Sequence, residues 1–340
     1  MKKTILAVVT SSLFAASANA AVVYDKDGQQ VDVYGRVQYE AGQISNDETG
    51  TAENFGGDGL ARLGVNGKWA TGYNDVALIS KLEWQLSSEN DDDGESDQVT
   101  ARYAWLGADF ANGVQATVGR VESPYAELAD LTDTYNTYSG LVEYQLDGAS
   151  RWDDSAKVTY AADGWDLRAA VSFDDQAKAN DAATKVQNRY AAAAGYTFQI
   201  DEVSSLKPVL AYQSETGEIA GDSYTNEQYA AGLGYTYDAF YLASTYGQAN
   251  YEAKDSAILT DDEKDTIWTV TASYKVLPEW TLLAGYGLVD PHDYGSETSK
   301  YYVLGTQYDI TAKAKAYAEY RIDDVAGQDD NYAVGLQYNF

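Results

Sequence analysis

Cysteine is absent from this chain, and methionine and histidine occur once each. With no thiol there are no disulfides, no thiolate metal sites and no cysteine nucleophile. Proline is rare, at 4 of 340 residues, so little interrupts extended backbone. Basic residues are few as well: 23 Lys and Arg stand against 53 Asp and Glu, a formal net charge of −30. Such a balance repels phosphate backbones, and no nucleic-acid partner is expected. The acids do not signal disorder, because 13% aromatic and 45% hydrophobic residues provide ample surface to bury. Beyond the N-terminus no stretch approaches 18 consecutive apolar residues, so helical membrane spans are excluded. The length fits two average domains or one large barrel.

The first 20 residues have the pattern of a secretory signal peptide. Lys2 and Lys3 precede an apolar stretch from Ile5 to Ala16, and Ala18-Asn19-Ala20 supplies the small residues of a cleavage site. Cleavage is expected after Ala20, leaving residues 21–340 and removing two lysines, which takes the charge to −32. An exported chain without disulfides and without helical spans is either soluble and secreted or a membrane β-barrel.

From residue 29 onward the hydrophobic period is two. Val31, Val33, Gly35, Val37 and Tyr39 alternate with Asp32, Tyr34, Arg36, Gln38 and Glu40, and Ala61, Leu63, Val65 and Trp69 with Arg62, Asn66 and Lys68. A third segment sets Leu78, Leu82, Trp84 and Leu86 against Lys81, Glu83 and Gln85, and Tyr332, Val334, Leu336, Tyr338 and Phe340 end the chain in the same rhythm. Sixteen such segments are expected, near 29–44, 59–69, 75–88, 98–110, 112–120, 150–162, 164–174, 188–200, 206–215, 225–237, 239–250, 265–277, 279–289, 299–309, 312–323 and 331–340. Short turns between them take turns with long acidic connections. Segments of this length, in even number, with short turns at one end and long loops at the other, predict an all-β fold: a 16-stranded antiparallel transmembrane β-barrel. A soluble sandwich would have shorter strands. Aromatics including Tyr39, Trp69, Trp84, Trp105, Trp152, Trp165, Trp280, Tyr308 and Tyr338 fall near segment ends, as girdles at two membrane interfaces would.

One connection, about 121–149, is far longer than the others and carries Glu122, Glu127, Asp130, Asp133, Glu143 and Asp147. It also has Leu128, Leu131, Leu141 and four tyrosines, 125, 135, 138 and 144, so it can pack. A barrel of this strand number leaves a channel too wide for its own side chains to fill. A loop folded inward would narrow it.

Val31-Asp32-Val33-Tyr34-Gly35-Arg36, Ala61-Arg62-Leu63-Gly64-Val65-Asn66-Gly67, Gly119-Arg120 and the terminal Gly335-Leu336-Gln337-Tyr338-Asn339-Phe340 are similar to landmarks of one family. Over nearly the whole mature chain the sequence resembles the trimeric general-diffusion porins of Gram-negative outer membranes. That resemblance implies a homotrimer in contact with lipopolysaccharide and outer-membrane lipid, passing small hydrophilic solutes and ions without cofactor, metal or bond chemistry. It also implies that the third long loop places carboxylates opposite a ladder of wall arginines. By that correspondence the pore constriction comprises Arg36, Arg62, Arg102, Arg120 and Arg151 on the wall, with Glu127, Asp130 and Asp133 facing them. There are departures: Thr100 replaces a family base, Glu143 falls near another, and the family's Pro-Glu-Phe-Gly-Gly-Asp loop motif is absent. With fewer wall bases and a charge of −32, cation selectivity is expected.

Other readings compete with this one. The tyrosines of the long loop leave room for a pore selective for a sugar or oligosaccharide. His292, between Asp290 and Asp293, is the one residue that an outer-membrane barrel hydrolase could use, and no nucleophile accompanies it. The long loops could also serve an adhesin or receptor role. The run Asn90-Asp91-Asp92-Asp93-Gly94-Glu95 fails as a calcium loop because its acids are contiguous and Arg102 stands at the twelfth position from Asp91. Gly232 and Gly234 lie within a strand pattern and make no phosphate cradle.

Overall fold

Successive side chains of a strand point to opposite faces, and here the usual sense is inverted. Leu63, Leu210 and Leu336 are exposed at 43%, 63% and 59%, whereas Glu83, Arg168 and Gln228 are buried. Apolar side chains point outward and polar ones inward, as required of a barrel with lipid outside and water within. The computed structural model describes residues 20–43, 55–87, 99–138, 150–173, 184–219, 222–253, 263–291, 298–324 and 330–340. Residues 1–19 of the expected signal peptide, the acidic run 90–95, His292 and the stretch 139–149, with Glu143, lie outside them.

In chain order the strands are β1 (Ala21–Lys26), β2 (Gln29–Gln43), β3 (Gly56–Ala70), β4 (Ala77–Ser87), β5 (Thr100–Asp109) and β6 (Val114–Glu122). After the short helix α1 (Ala126–Ala129) come β7 (Arg151–Ala162), β8 (Trp165–Ser172), β9 (Thr184–Tyr196), β10 (Phe198–Gln199), β11 (Ser204–Ile219) and β12 (Asp222–Tyr237). The chain ends with β13 (Phe240–Ala253), β14 (Glu263–Leu277), β15 (Trp280–Asp290), β16 (Ser299–Thr311), β17 (Ala314–Asp323) and β18 (Asn331–Asn339). β10 continues β9 along the same edge of β11. β1, which periodicity does not foresee, pairs with β2 beyond the end of β18. The remaining ring has sixteen antiparallel strands, closed where β18 meets β2 and β9 meets β11. Closure leaves no strand edge to be satisfied by lipid.

Each of the sixteen expected segments coincides with a strand of the ring. At one end the connections are tight: Asp163 and Gly164 both take positive φ, 52° and 86°, the conformation that suits a two-residue hairpin between twisted strands. Exposed aromatics form two rows. Trp268 and Tyr274 on β14, and Tyr302 and Tyr308 on β16, are six residues apart, about 20 Å of strand.

Two aromatics leave that pattern. In the β4–β5 pairing the register shifts between Glu83 and Trp84, so Arg102 is an extra residue. Trp105 therefore stands opposite the inward Lys81, on the lumen phase. Trp152 is fully buried against Ala170 and Ala191.

Candidate functional site

The long loop enters the barrel and lies along one side of its wall. α1 seats Tyr125 and Leu128, both at 0% exposure, and the following Leu131 against Ala193, Val209, Ala211 and Ala230 of β9, β11 and β12. The wall beneath is cut back to admit them. A Cβ added at Gly232 would lie 2.6 Å from one Leu131 Cδ1 and 2.9 Å from Leu128 Cδ1. Burying each leucine contributes about 1.5–3 kcal/mol, so the seat is an apolar latch inside a wet barrel. Tyr241 Oη donates to the Leu131 carbonyl at 2.7 Å, and Ser123 Oγ to Gln213 Oε1 at 3.2 Å.

Three carboxylates complete the docking. Glu127 is wholly buried and paired with Arg168 and Lys207, and Arg168 also donates to both oxygens of Asp166. Burial pushes the Glu127 carboxyl up, to about 7, against the opposing pull of Arg168 and Lys207. At the far end Glu319 of β17 accepts the backbone N–H groups of Asn136, Thr137 and Tyr138 at 2.6, 3.0 and 3.2 Å, and the Asn136 side chain at 3.0 Å. Thr137 Oγ1 and Tyr317 Oη both donate to Glu40, at 2.8 and 2.7 Å.

Between the docked loop and the opposite wall lies a cavity of about 830 Å³. Arg36, Arg62, Arg102, Arg151 and Lys315 line it from the strands, together with Glu40 and Glu122, and Asp130 and Asp133 line it from the loop. Six of the eight residues expected at the constriction thus share one space. Arg102 reaches it through the bulge rather than by simple alternation, and bonds Glu83 Oε1 at 2.6 Å and Gln85 Oε1 at 3.0 Å. Arg151 lies 3.5 Å from Glu122 and 4.7 Å from the Tyr103 ring centre, with Lys81 Nζ 4.2 Å from the same centre. Tyr34 and Tyr103 donate to Glu83 and Glu122, each at 2.6 Å.

Two expected residues are elsewhere. Arg120 stands opposite the outward-facing Ala104, where the register shifts between Gly119 and Val121, and bonds the exposed Asp153 at 2.5 Å. Glu127 faces the wall under the loop, where it anchors rather than lines. Glu40, Glu83, Lys315 and Glu319 are not among the residues expected there, although Glu40 and Glu83 sit on the polar phase, and Glu122, counted with the acids of the long connection, ends β6. Of the described loop tyrosines, Tyr125 and Tyr138 are buried and Tyr135 reaches the cavity.

A sixteen-stranded barrel with a polar lumen and an inward loop defines a pore-forming outer-membrane protein. The model of the Gram-negative porin family matches residues 4–328, and the chain belongs to that family. Outer membrane porin F of Escherichia coli K12 is 25% identical over 374 residues, covering all of both chains. In structure, OmpF of Salmonella typhi in complex with daunomycin superposes with a TM-score of 0.76 at 19% identity, over 94% of this chain and all of that one. The anion-selective porin from Comamonas acidovorans gives 0.75 at 15% identity, over 92% and 100%. The protein is accordingly a multi-pass porin of the outer membrane that serves passive diffusion.

Proposed function

We propose that Arg36, Arg62, Arg102 and Arg151 on the wall and Asp130 and Asp133 on the loop form the narrow part of this channel, and that it passes small hydrophilic solutes with a preference for cations. The observation that carries the reading is the shared cavity, with bases on one side and the loop carboxylates on the other. Opposed charges across a narrow gap make a transverse field that orders water and favours polar over apolar solutes. Inside the cavity five bases face four acids, so the local balance is close to neutral. The preference for cations then comes from the rest of the chain. Residues 88–98, between β4 and β5, hold six acids and no base. Planar-bilayer recording across a KCl gradient tests this: a reversal potential favouring K⁺ is expected, and one favouring Cl⁻ refutes the preference.

The same reading includes assembly into a homotrimer, with lipopolysaccharide around it. Its support is the uneven girdle. β13 to β16 present Tyr246, Trp268, Tyr274, Trp280, Tyr302 and Tyr308 outward, whereas the outward positions of β5 and β6 hold Ala104, Leu106, Ala108, Ala116 and Val118. A face on which Phe110, just past β5, is the one exposed aromatic among the described residues suits contact with another subunit rather than the lipid boundary. Sizing by light scattering in mild detergent is expected to give three chains per particle, and a monomer refutes it. Removal of residues 1–20 belongs to the same picture and is read from the N-terminus of the exported protein.

A further inference from the structure

The bases that line the lumen cavity are held by different means. Arg102 bonds Glu83 Oε1 at 2.6 Å and Gln85 Oε1 at 3.0 Å, Arg62 bonds Gln85 Oε1 at 2.8 Å, and Arg36 bonds Asn339 Oδ1 at 3.3 Å. Arg151, the first residue of β7, lacks such a tie at Nε, which is sealed from water and has no hydrogen-bond partner among the described residues. Its salt-bridge partner Glu122 stands 3.5 Å away. A buried N–H without an acceptor costs free energy, so another contact must offset it. The ring of Tyr103 lies there, its centre 4.7 Å from Arg151 Cζ. The face of an aromatic ring carries partial negative charge and attracts a guanidinium laid against it.

Tyr103 is itself firmly placed. Its Oη donates to Glu122 Oε1 at 2.6 Å, and Lys81 Nζ lies 4.2 Å from the ring centre. It faces inward because Arg102 is an extra residue of β5: the register shift sets Tyr103 opposite the inward Glu83. One bulge thus turns two neighbours inward, a base that lines the cavity and a ring that meets another base. Bulges beside functional sites re-aim side chains in this way. Tyr103 does not line the cavity, so its effect on passing solutes runs through the groups it touches.

We propose that Tyr103 is a positioning residue of the channel: the face of its ring holds the Arg151 guanidinium at a fixed place in the lumen wall. A base free to swing would make the field across the narrow part fluctuate, and the current with it. This rests on Arg151 lining the conducting path.

Single-channel recording of the full protein in KCl tests it, with the noise of the open-channel current as the readout. Tyr103→Phe is compared with pentafluorophenylalanine at the same position. Both lack the hydroxyl and have nearly one shape, but fluorination reverses the polarity of the ring face. The fluorinated channel should let Arg151 leave its seat about tenfold more often, the worth of a cation–π contact sheltered from water, and should be the noisier of the two. Tyr103→Leu removes the ring altogether and should be at least as noisy as the fluorinated channel. In an Arg151→Gln background the differences among these side chains should vanish. Far-UV circular dichroism reports the folding of each variant. Equal noise from the two rings in folded channels that keep Arg151 overturns the proposal, as does a folded Tyr103→Leu channel as quiet as the wild type or a difference that survives Arg151→Gln. The reading beneath it has a separate check: Arg151→Gln alone should move the reversal potential toward K⁺, and an unmoved potential takes Arg151 out of the conducting path.

Discussion

Replacing Glu319 by alanine should release the tip of the inward loop while leaving the barrel intact. The carboxylate accepts four hydrogen bonds from Asn136, Thr137 and Tyr138 and is 3% exposed. A hydrogen bond to a charged group is worth about 1.5–3 kcal/mol. The freed N–H groups can turn to lumen water, which returns much of that sum, so a net loosening of about 2–4 kcal/mol is reasonable. At about 1.4 kcal/mol per factor of ten, a tip that is docked nearly always becomes undocked roughly thirty to several hundred times more often. No ladder bond is lost, so the thermal unfolding midpoint should barely move. Single-channel recording should show a larger or noisier unitary conductance. Glu319→Gln, which keeps an acceptor oxygen without the charge, should fall between the two. Wild-type conductance and noise in a folded Glu319→Ala channel would refute the idea that this carboxylate holds the loop.

Three further outcomes follow from the same contacts. Gly232→Val forces methyl groups into Leu128 and Leu131, and overpacking of about 1–3 kcal/mol should lift the loop from its seat, read as faster proteolysis within 121–149. Glu83→Gln uncovers Arg102 and Lys81, so the reversal potential should move toward anions; an unchanged potential would show that Glu83 compensates neither. Glu127 is held above its ordinary value, at about 7, chiefly by burial, so folding favours its protonated form. Its contribution to stability is then full below about 4.5 and declines as pH rises through 7. Glu127→Gln should accordingly flatten the change in denaturation midpoint between pH 5 and 8, and an unaltered slope would exclude that linkage.

The strands were legible because a barrel between lipid and water needs one simple rule repeated sixteen times. Leu63 and Leu336 sit outside and Arg62 inside for the same reason of period. Bulges defeated that rule. Near Arg102 an extra residue reverses the phase, which sends Trp105 inward, and beyond Gly119 another shift leaves Arg120 opposite an outward alanine. A bulge is a local accommodation between two strands and leaves no periodic trace in either one. β1 escaped notice because six residues with little alternation give no phase, and only the partner strand β2 defines its place. The acids of the long loop were equally ambiguous: Glu127 and Asp130 are three positions apart, yet one meets the wall and the other the cavity. The loop carries α1 instead of a strand here, so the alternation read along the strands assigns neither acid to a side.

The place where the loop docks did leave a mark in the sequence. Along the inward face of β4, β7 and β8 charged side chains recur, as at Lys81, Glu83, Lys157 and Arg168. On β9, β11 and β12 that face changes to Ala193 and Gly195, Val209 and Ala211, and Ala230, Gly232 and Gly234. Small apolar residues facing a water-filled lumen gain nothing unless something covers them. The cover must be apolar, must come from inside, and must approach closely enough to use the missing side chains. Only a long connection with its own leucines meets those conditions, and Leu128 and Leu131 are the residues that fill the gap over Gly232. The glycines set aside as a failed phosphate cradle are the floor of the loop's seat. A run of small residues on the wet phase of a barrel strand is therefore a readable sign of an inward segment and of the strands it rests upon.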